Sequence, residues 1–192
     1  MKRLLMLMAL TLVAAPAAAQ IPGVNVVVAP RIGVYSPLGN LIETSTSEFK
    51  IKSGLGLGLS IELDLPLSPI NVRANFDAAL GRDVEEDGVK VGDVDIVNLT
   101  GDLVFRPLPR VVAQPYLLAG AGIKRYSSGF GGGDDNSSSD FTGHVGAGID
   151  AKLGPLGLMV EVSDYISSFK STGDSKLQND VFVMAGLRIG LL

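Results

Sequence analysis

Few side chains in this chain could do covalent chemistry. His144 is the only histidine, and a histidine base needs a nucleophile within reach before it can drive acyl transfer. The run His144-Val145-Gly146 offers no nearby serine, and the ring reads as a packed or hydrogen-bonded group. The acidic stretches Asp83-Val-Glu-Glu-Asp87 and Asp134-Asp135 carry oxygen ligands of the kind that hold divalent cations. Their spacing fits no EF-hand, and solvated loop charge is the expected role. Gly131 to Gly133 lacks the Lys-Ser/Thr that would follow in a phosphate loop, and Asn98-Leu-Thr and Asn136-Ser-Ser are glycosylation triplets short enough to arise by chance. There is no cysteine, hence no thiol chemistry and no disulfide framework. No catalytic residue, cofactor or metal site is expected.

The chemistry the chain does carry is charge set inside apolar segments. Arg31, Glu62, Arg73, Asp77, Asp102, Arg106, Lys124, Asp150, Lys152, Glu161 and Arg188 interrupt stretches that otherwise look like core, and acids and bases are nearly balanced among them. The stretch Gly54-Leu-Gly-Leu-Gly-Leu-Ser-Ile-Glu-Leu-Asp64 shows how they are placed. Leu55, Leu57, Leu59, Ile61 and Leu63 fall on every second residue, which puts them on one face only in a strand. The opposite face is glycine, serine and carboxylate. Glycine weakens a strand unless that face is too crowded for side chains.

The same alternation recurs along the chain and predicts eight strands, at residues 25–35, 48–64, 70–82, 89–106, 114–126, 141–153, 158–170 and 179–192. Pro30 in the first is expected to cause a bulge or local break, because proline cannot donate to a ladder. Residues 36–47 and 127–140 read as long polar loops, residues 171–178 as a further loop, and Asp87-Gly88 as a hairpin turn. Turns after the second, fourth and sixth strands are short or rich in proline, whereas the linkers after the odd strands are more polar and mostly longer. This is the pattern of an up-and-down barrel with one rim in the periplasm and the other outside.

Ahead of the strands, Lys2 and Arg3, the apolar run over residues 4–13 and Ala17-Ala18-Ala19 form a secretory signal peptide pattern. We expect a cleaved leader at residues 1–19 and a barrel domain over residues 20–192. The net charge of −4, more acidic once Lys2 and Arg3 leave, gives no footprint for nucleic acid. Mean hydropathy is +0.35, although no apolar run outside the leader is long enough for a membrane helix. Hydrophobicity dispersed by alternation in an exported chain is the outer-membrane barrel signature.

The direction of the oily face decides the function class. Lining a cavity, it would make a soluble, periplasmic lipocalin-like carrier. A polar face of glycine and balanced charge suits instead a narrow interior of mutual ion pairs, since eight strands enclose just enough room for their own side chains. The eleven charged residues above are therefore expected to form an interior structural network. Tyr35, Phe49, Tyr126, Phe141, Tyr165 and Phe169 are expected near the outer rim, and Phe105 and Tyr116 near the other, as interfacial girdles.

Together with the leader and the eight alternating strands, Pro115-Tyr-Leu-Leu-Ala-Gly-Ala-Gly-Ile-Lys124 and Val181-Phe-Val-Met-Ala-Gly-Leu-Arg-Ile-Gly190 resemble the small outer-membrane beta-barrel proteins of the OmpA/OmpX type. The resemblance implies an all-β, eight-stranded antiparallel transmembrane barrel in the bacterial outer membrane. It also implies outer-membrane lipid and the assembly machinery as partners, an unidentified ligand at the outer loops, and a structural or surface-interaction role without catalysis. Such barrels commonly end in an aromatic residue, where this sequence has Leu191-Leu192, and no peptidoglycan-binding domain is expected. Three other readings remain open: a narrow channel, a lipid A-modifying membrane enzyme using His144, and the soluble carrier.

Overall fold

Backbone N–H and C=O groups in hydrocarbon have no water to bond, and a sheet satisfies them there only by closing on itself. The computed structural model shows that closure. It describes residues 24–38, 42–43, 48–65, 68–108, 112–128, 136–153, 156–171 and 174–191; the expected leader lies outside them. The strands are β1 (Asn25–Leu38), β2 (Ile42–Glu43), β3 (Glu48–Ile51), β4 (Gly54–Asp64), β5 (Ile70–Glu86), β6 (Val89–Phe105), β7 (Ala113–Ser128), β8 (Asn136–Leu153), β9 (Leu156–Ser171) and β10 (Asp174–Leu191). The long strands follow one another antiparallel around the ring, β1 pairs with β10, and the β5–β6 pairing completes the circle. The short β2 and β3 form a flap that extends β5 beyond the barrel wall.

Parity along each strand settles the direction of the oily face. On β6, Leu103 is 57% exposed and its neighbour Asp102 2%. The same outward set includes Ile32, Leu57, Val72, Leu117, Ile149, Val160 and Leu187, an apolar band around the outside of the barrel. This band excludes the soluble carrier.

Strand ends differ from the sequence reading in one consistent way: on the outer side they run further. Ser127 and Ser128 pair with Ser137 and Asn136, Asp174 to Gln178 pair back onto β9, and Ser36 to Leu38 pair with β10. Polar composition marks water there, not the absence of pairing. The expected strand over residues 48–64 is divided at Lys52-Ser53 into β3 and β4. At Pro30 the strand continues without a bulge. The ladder to β10 lapses only at Ala29 and Pro30, and pairing resumes in unchanged register at Arg31. The Asp87-Gly88 turn is as expected, with φ of 49° and 85° matching the two left-handed positions of a tight hairpin.

Inward-facing glycines allow the tight curvature. A Cβ on Gly122 would overlap the Leu99 carbonyl oxygen, and one on Gly33 the Val183 carbonyl oxygen. Outward-facing Gly101 has nothing within 4 Å of such an atom. Gly122→Val should therefore destabilise the barrel by about 1–3 kcal/mol or more, whereas Gly101→Val should leave it within about 0.5 kcal/mol. Urea titration of the folded, heat-modifiable gel band in detergent measures both, and equal effects would contradict this account of the glycines.

Candidate functional site: the barrel lumen

Inward parity brings the charged residues together because neighbouring strands place them in register. Glu62, Arg73 and Asp102 are successive cross-strand partners on β4, β5 and β6. Asn75 and Thr100 are partners one inward position further out and Asp77 and Asn98 two, and Lys124 on β7 follows Asn98. Gly58 on β4 faces Arg31 on β1 and Asp77 on β5, and its missing side chain leaves room for their ion pair.

Toward the periplasmic rim, Arg106 and Arg188 share two carboxylates. Arg106 Nη1 lies 2.6 Å from Glu62 Oε1 and its Nη2 2.8 Å from Asp150 Oδ2, while Arg188 Nη1 is 2.7 Å from the same Asp150 oxygen. Mid-barrel, Glu161 on β9 accepts from Arg31 Nη1 and Arg73 Nη1 at 2.6 Å each and from the Tyr116 hydroxyl at 2.8 Å. Arg73 also pairs with Glu62 at 2.9 Å, and Arg31 Nη2 with Asp77 at 2.9 Å. The Tyr165 hydroxyl donates to Asp77, and Asn75 to Asp102. β5 and β9 stand on opposite sides of the ring, so the Arg73–Glu161 and Tyr165–Asp77 bonds span the lumen directly. Further out, Lys124 Nζ donates to Asp180 at 2.6 Å, to Ser167 and to the Tyr165 carbonyl. Beside this pair Tyr35, Ile51, Val84, Val94, Ile96, Phe182 and their neighbours form a buried apolar cluster.

Of the charged residues proposed for the interior, Lys152 is placed elsewhere. Two residues beyond Asp150, where the barrel opens to the periplasm, it is exposed and lies 3.7 Å from Asp64. The others are buried. Sequence reading missed Asp180, left the uncharged Asn71, Asn75 and Thr100 of the same polar faces out of the interior set, and assigned the tyrosines wrongly. Tyr35, Tyr116, Tyr126 and Tyr165 are all buried in the lumen and form no interfacial girdle. Face parity would have placed them: Tyr35 shares its face with Arg31, Tyr126 with Lys124, and Tyr165 with Glu161. Phe105 and Phe141 are exposed on the outside, while the side chains of Phe49 and Phe169 lie outside the described set.

His144 is buried, with Nδ1 2.9 Å from Asp102 Oδ1 and its ring stacked on Tyr165 at 4.1 Å. Nδ1 also lies 3.3 Å from the Thr100 hydroxyl, and among the described residues no serine hydroxyl is bonded to the ring. In the outer hairpin, Lys90 pairs with Asp83 and Asp93 at 2.7 Å each, and Lys52 with Glu85 at 2.7 Å. The hydrogen bond to Asp83 is the main reason the Lys90 ammonium is pushed up to about 12. These carboxylates thus have lysine partners. Among the described residues no cluster of histidine and carboxylate side chains suits a metal ion; Asp134-Asp135 lie outside them.

The outer membrane protein beta-barrel domain model matches residues 5–188. The chain belongs to that family. Membership and the outward apolar band place it in the bacterial outer membrane, surrounded by lipid. Solved structures share the fold at low identity. Neisserial surface protein A matches with a TM-score of 0.63 and 14% identity over 87% of this chain and 96% of that one. OprG from Pseudomonas aeruginosa matches at 0.60 and 16% over 88% and 96%, and a major outer membrane protein from Thermus thermophilus at 0.58 and 15% over 88% and 99%. The curated proteins compared with the sequence contain no match.

Glu161 joins two guanidiniums and a tyrosine hydroxyl from three other strands. Glu161→Leu leaves Arg31 and Arg73 each short of a buried counter-charge and should cost about 3–5 kcal/mol. The double change Arg73→Met with Glu161→Leu should cost less than the sum of the single changes. Urea unfolding of single and double variants measures the coupling, and strict additivity would show that the pair does not interact.

Proposed function

We propose that this protein is a non-catalytic outer-membrane barrel whose lumen is held shut by interior ion pairs and whose work is structural or interactive, through the segments it presents outside. The supporting observation is the pair of bonds across the full lumen, Arg73 to Glu161 and Tyr165 to Asp77, with the apolar cluster around Phe182 packed beside them. In this reading the ten buried charged residues of the interior set act structurally, residues 1–19 are a cleaved leader, and the outer-membrane assembly machinery inserts the barrel. The outer ligand is unidentified, because binding by loops leaves no motif.

One observation favours a narrow channel instead. Both polar atoms of the Asn98 side chain, His144 Nε2 and the Ser163 hydroxyl are buried without a partner among the described residues, and such groups in a lumen attract water. Planar-bilayer recording separates the readings. The sealed barrel should show no steady openings at neutral pH, and steady openings altered by Arg73→Gln would replace this proposal with the channel. For the enzymatic alternative, His144→Ala should leave lipid A structure unchanged in the producing cells by mass spectrometry; loss of a modified species would establish catalysis.

A further inference from the structure

Among the described residues, Asp164 is a charged side chain inside the apolar band on the outside of the barrel. It alternates on β9 with the buried Ser163 and Tyr165 and shares the outward face with Val160 and Val162, both about half exposed. Its ladder partners are Val145 and Val181, and Ile166 carries the apolar face outward beyond it. Asn179 Nδ2 donates to Oδ2 at 2.8 Å. Oδ1 has no hydrogen-bond partner and no cation pairs with the carboxylate among the described residues. A charge on the lipid face is costly, and an ionisable group kept at such a depth marks an interaction.

The next strand but one carries the opposite charge. Arg125 is exposed on β7, in line with Ala119, Ala121 and Ile123 on the outward face. Its Nη2 donates to Ser137 Oγ at 3.1 Å, and it makes no ion pair among the described residues. The two charges are close in depth, because a ladder row climbs as it passes round the ring. The row that starts at Val72 near the periplasmic end of β5 passes Ala119, Val145 and Asp164 and reaches Ser36 near the outer end of β1. Two strand spacings along a row tilted near 45° raise Asp164 about 7 Å above Ala119. Six residues of β7 raise Arg125 about 14 Å above the same residue. An arginine and an aspartate side chain together bridge the difference.

β8 lies between them and presents Gly143, Val145 and Ala147 to the outside. A Cβ on Gly143 would meet nothing nearer than the Ile166 carbonyl oxygen, 3.8 Å away, so no contact within the chain requires glycine there. A glycine inside a strand weakens it and often marks the close approach of another backbone. In lipid, apolar contact alone drives no association, and membrane segments join where small residues let backbones approach and polar groups bond across. This face has both: small residues on β8, and on the strands beside it one charge of each sign without an ionic partner among the described residues.

We propose that the face formed by β7, β8 and β9 is a two-fold interface with a second copy of this chain. A two-fold axis along the membrane normal at β8 sets β7 of each copy against β9 of the other. Arg125 then meets Asp164 of the second copy, and symmetry supplies the reverse pair. Gly143 of the two copies meet near the axis, where the missing side chains let the walls close to the distance the ion pairs need. The argument for a second copy over a different protein is this charge complementarity: opposite charges stand one strand to each side of β8, so the chain supplies both halves of each pair. The interface goes beyond the sealed-lumen reading, since the outer walls can join whether or not ions cross the barrel.

The chain contains no cysteine, so Gly143→Cys places a single thiol at the axis. The variant, confirmed as folded by heat-modifiable mobility, is oxidised with copper phenanthroline in phosphatidylcholine vesicles, whose lipids carry no net charge to compete for Arg125. The proposal expects a disulfide-linked dimer several times more abundant than that from Gly101→Cys, which faces lipid on β6, a quarter of the way round the ring. In the Gly143→Cys background, Arg125→Asp and Asp164→Arg should each lower the dimer about tenfold when reconstituted alone, because like charges then face each other. Mixing these two variants in the same vesicles should restore it, because each then supplies the charge the other lacks. Equal cross-linking of the two cysteines would overturn the proposal and leave Arg125 to lipid head groups. Charge reversals without effect, or a mixture no better than its components, would overturn it equally. Ala147→Cys replaces Gly143→Cys, and Asp164→Lys replaces Asp164→Arg, if either variant does not fold. Conductance plays no part in this readout, so a monomeric barrel would refute the interface and leave the sealed lumen standing.

Discussion

Closure of the backbone ladder is the constraint on which the rest depends. An unpaired N–H or C=O in hydrocarbon costs several kcal/mol, and eight strands that each satisfy two neighbours leave no edge. Closure at this strand number also makes the lumen narrow. That narrowness explains glycine at Gly33, Gly120 and Gly122, where a methyl group would strike the neighbouring strand. It also explains why Tyr116 lies over Gly148 and Phe182 over Gly56. Inside such a tube a large side chain needs a small one opposite.

The buried charges follow from the same narrowness. Bringing two ions out of water often costs more than their attraction returns, and buried pairs are weak evidence of net stability. Their value here is geometric. A guanidinium that reaches Glu62 and Glu161 together, as Arg73 does, fixes the distance between walls that share no ladder. Once one partner is inside, every other is required, because an unmatched charge is far more costly than a matched one. The interior works as one connected set, from Arg188 and Asp150 at the periplasmic end to Lys124 and Asp180 near the outer end.

Parity carried most of the fold in the sequence. Leu55 to Leu63 alternating with glycine and carboxylate, and Ile70 to Leu80 alternating with Arg73 and Asp77, show both the strands and the two faces. The errors came where another cue displaced parity. Tyrosine was assigned by its height along the strand, as an interfacial residue, although Tyr165 and Glu161 share a face by simple counting. Lys152 was assigned by parity alone, although it lies past the last turn of interior packing. Segment ends were judged by polarity, yet Ser127 and Ser137 pair as readily above the membrane as valine does within it. Contacts such as Arg73 with Glu161 cross between elements 88 residues apart. No local pattern encodes them, and the set of interior charges was legible while its partners were not. The chemistry of the outer surface has no sequence pattern at all.

The two halves of the barrel differ in what holds them. The periplasmic half has a dense network of charge, in which moving one strand would break several buried pairs. Toward the outer half Phe182, Met184, Ile96 and Val94 pack beside the Lys124–Asp180 pair without directional side-chain bonds of their own and tolerate small displacements at low cost. The β4–β5 ladder lapses from Ser53 to Gly56 beside this filling. A lapsed ladder does not need apolar contents beside it, however: the β1–β10 ladder lapses at Ala29 and Pro30, next to the buried Arg31. There the other edge of β1 stays paired, Ala29 with Ser60 and Pro30 with Leu59, so each strand is held in the ring by at least one neighbour.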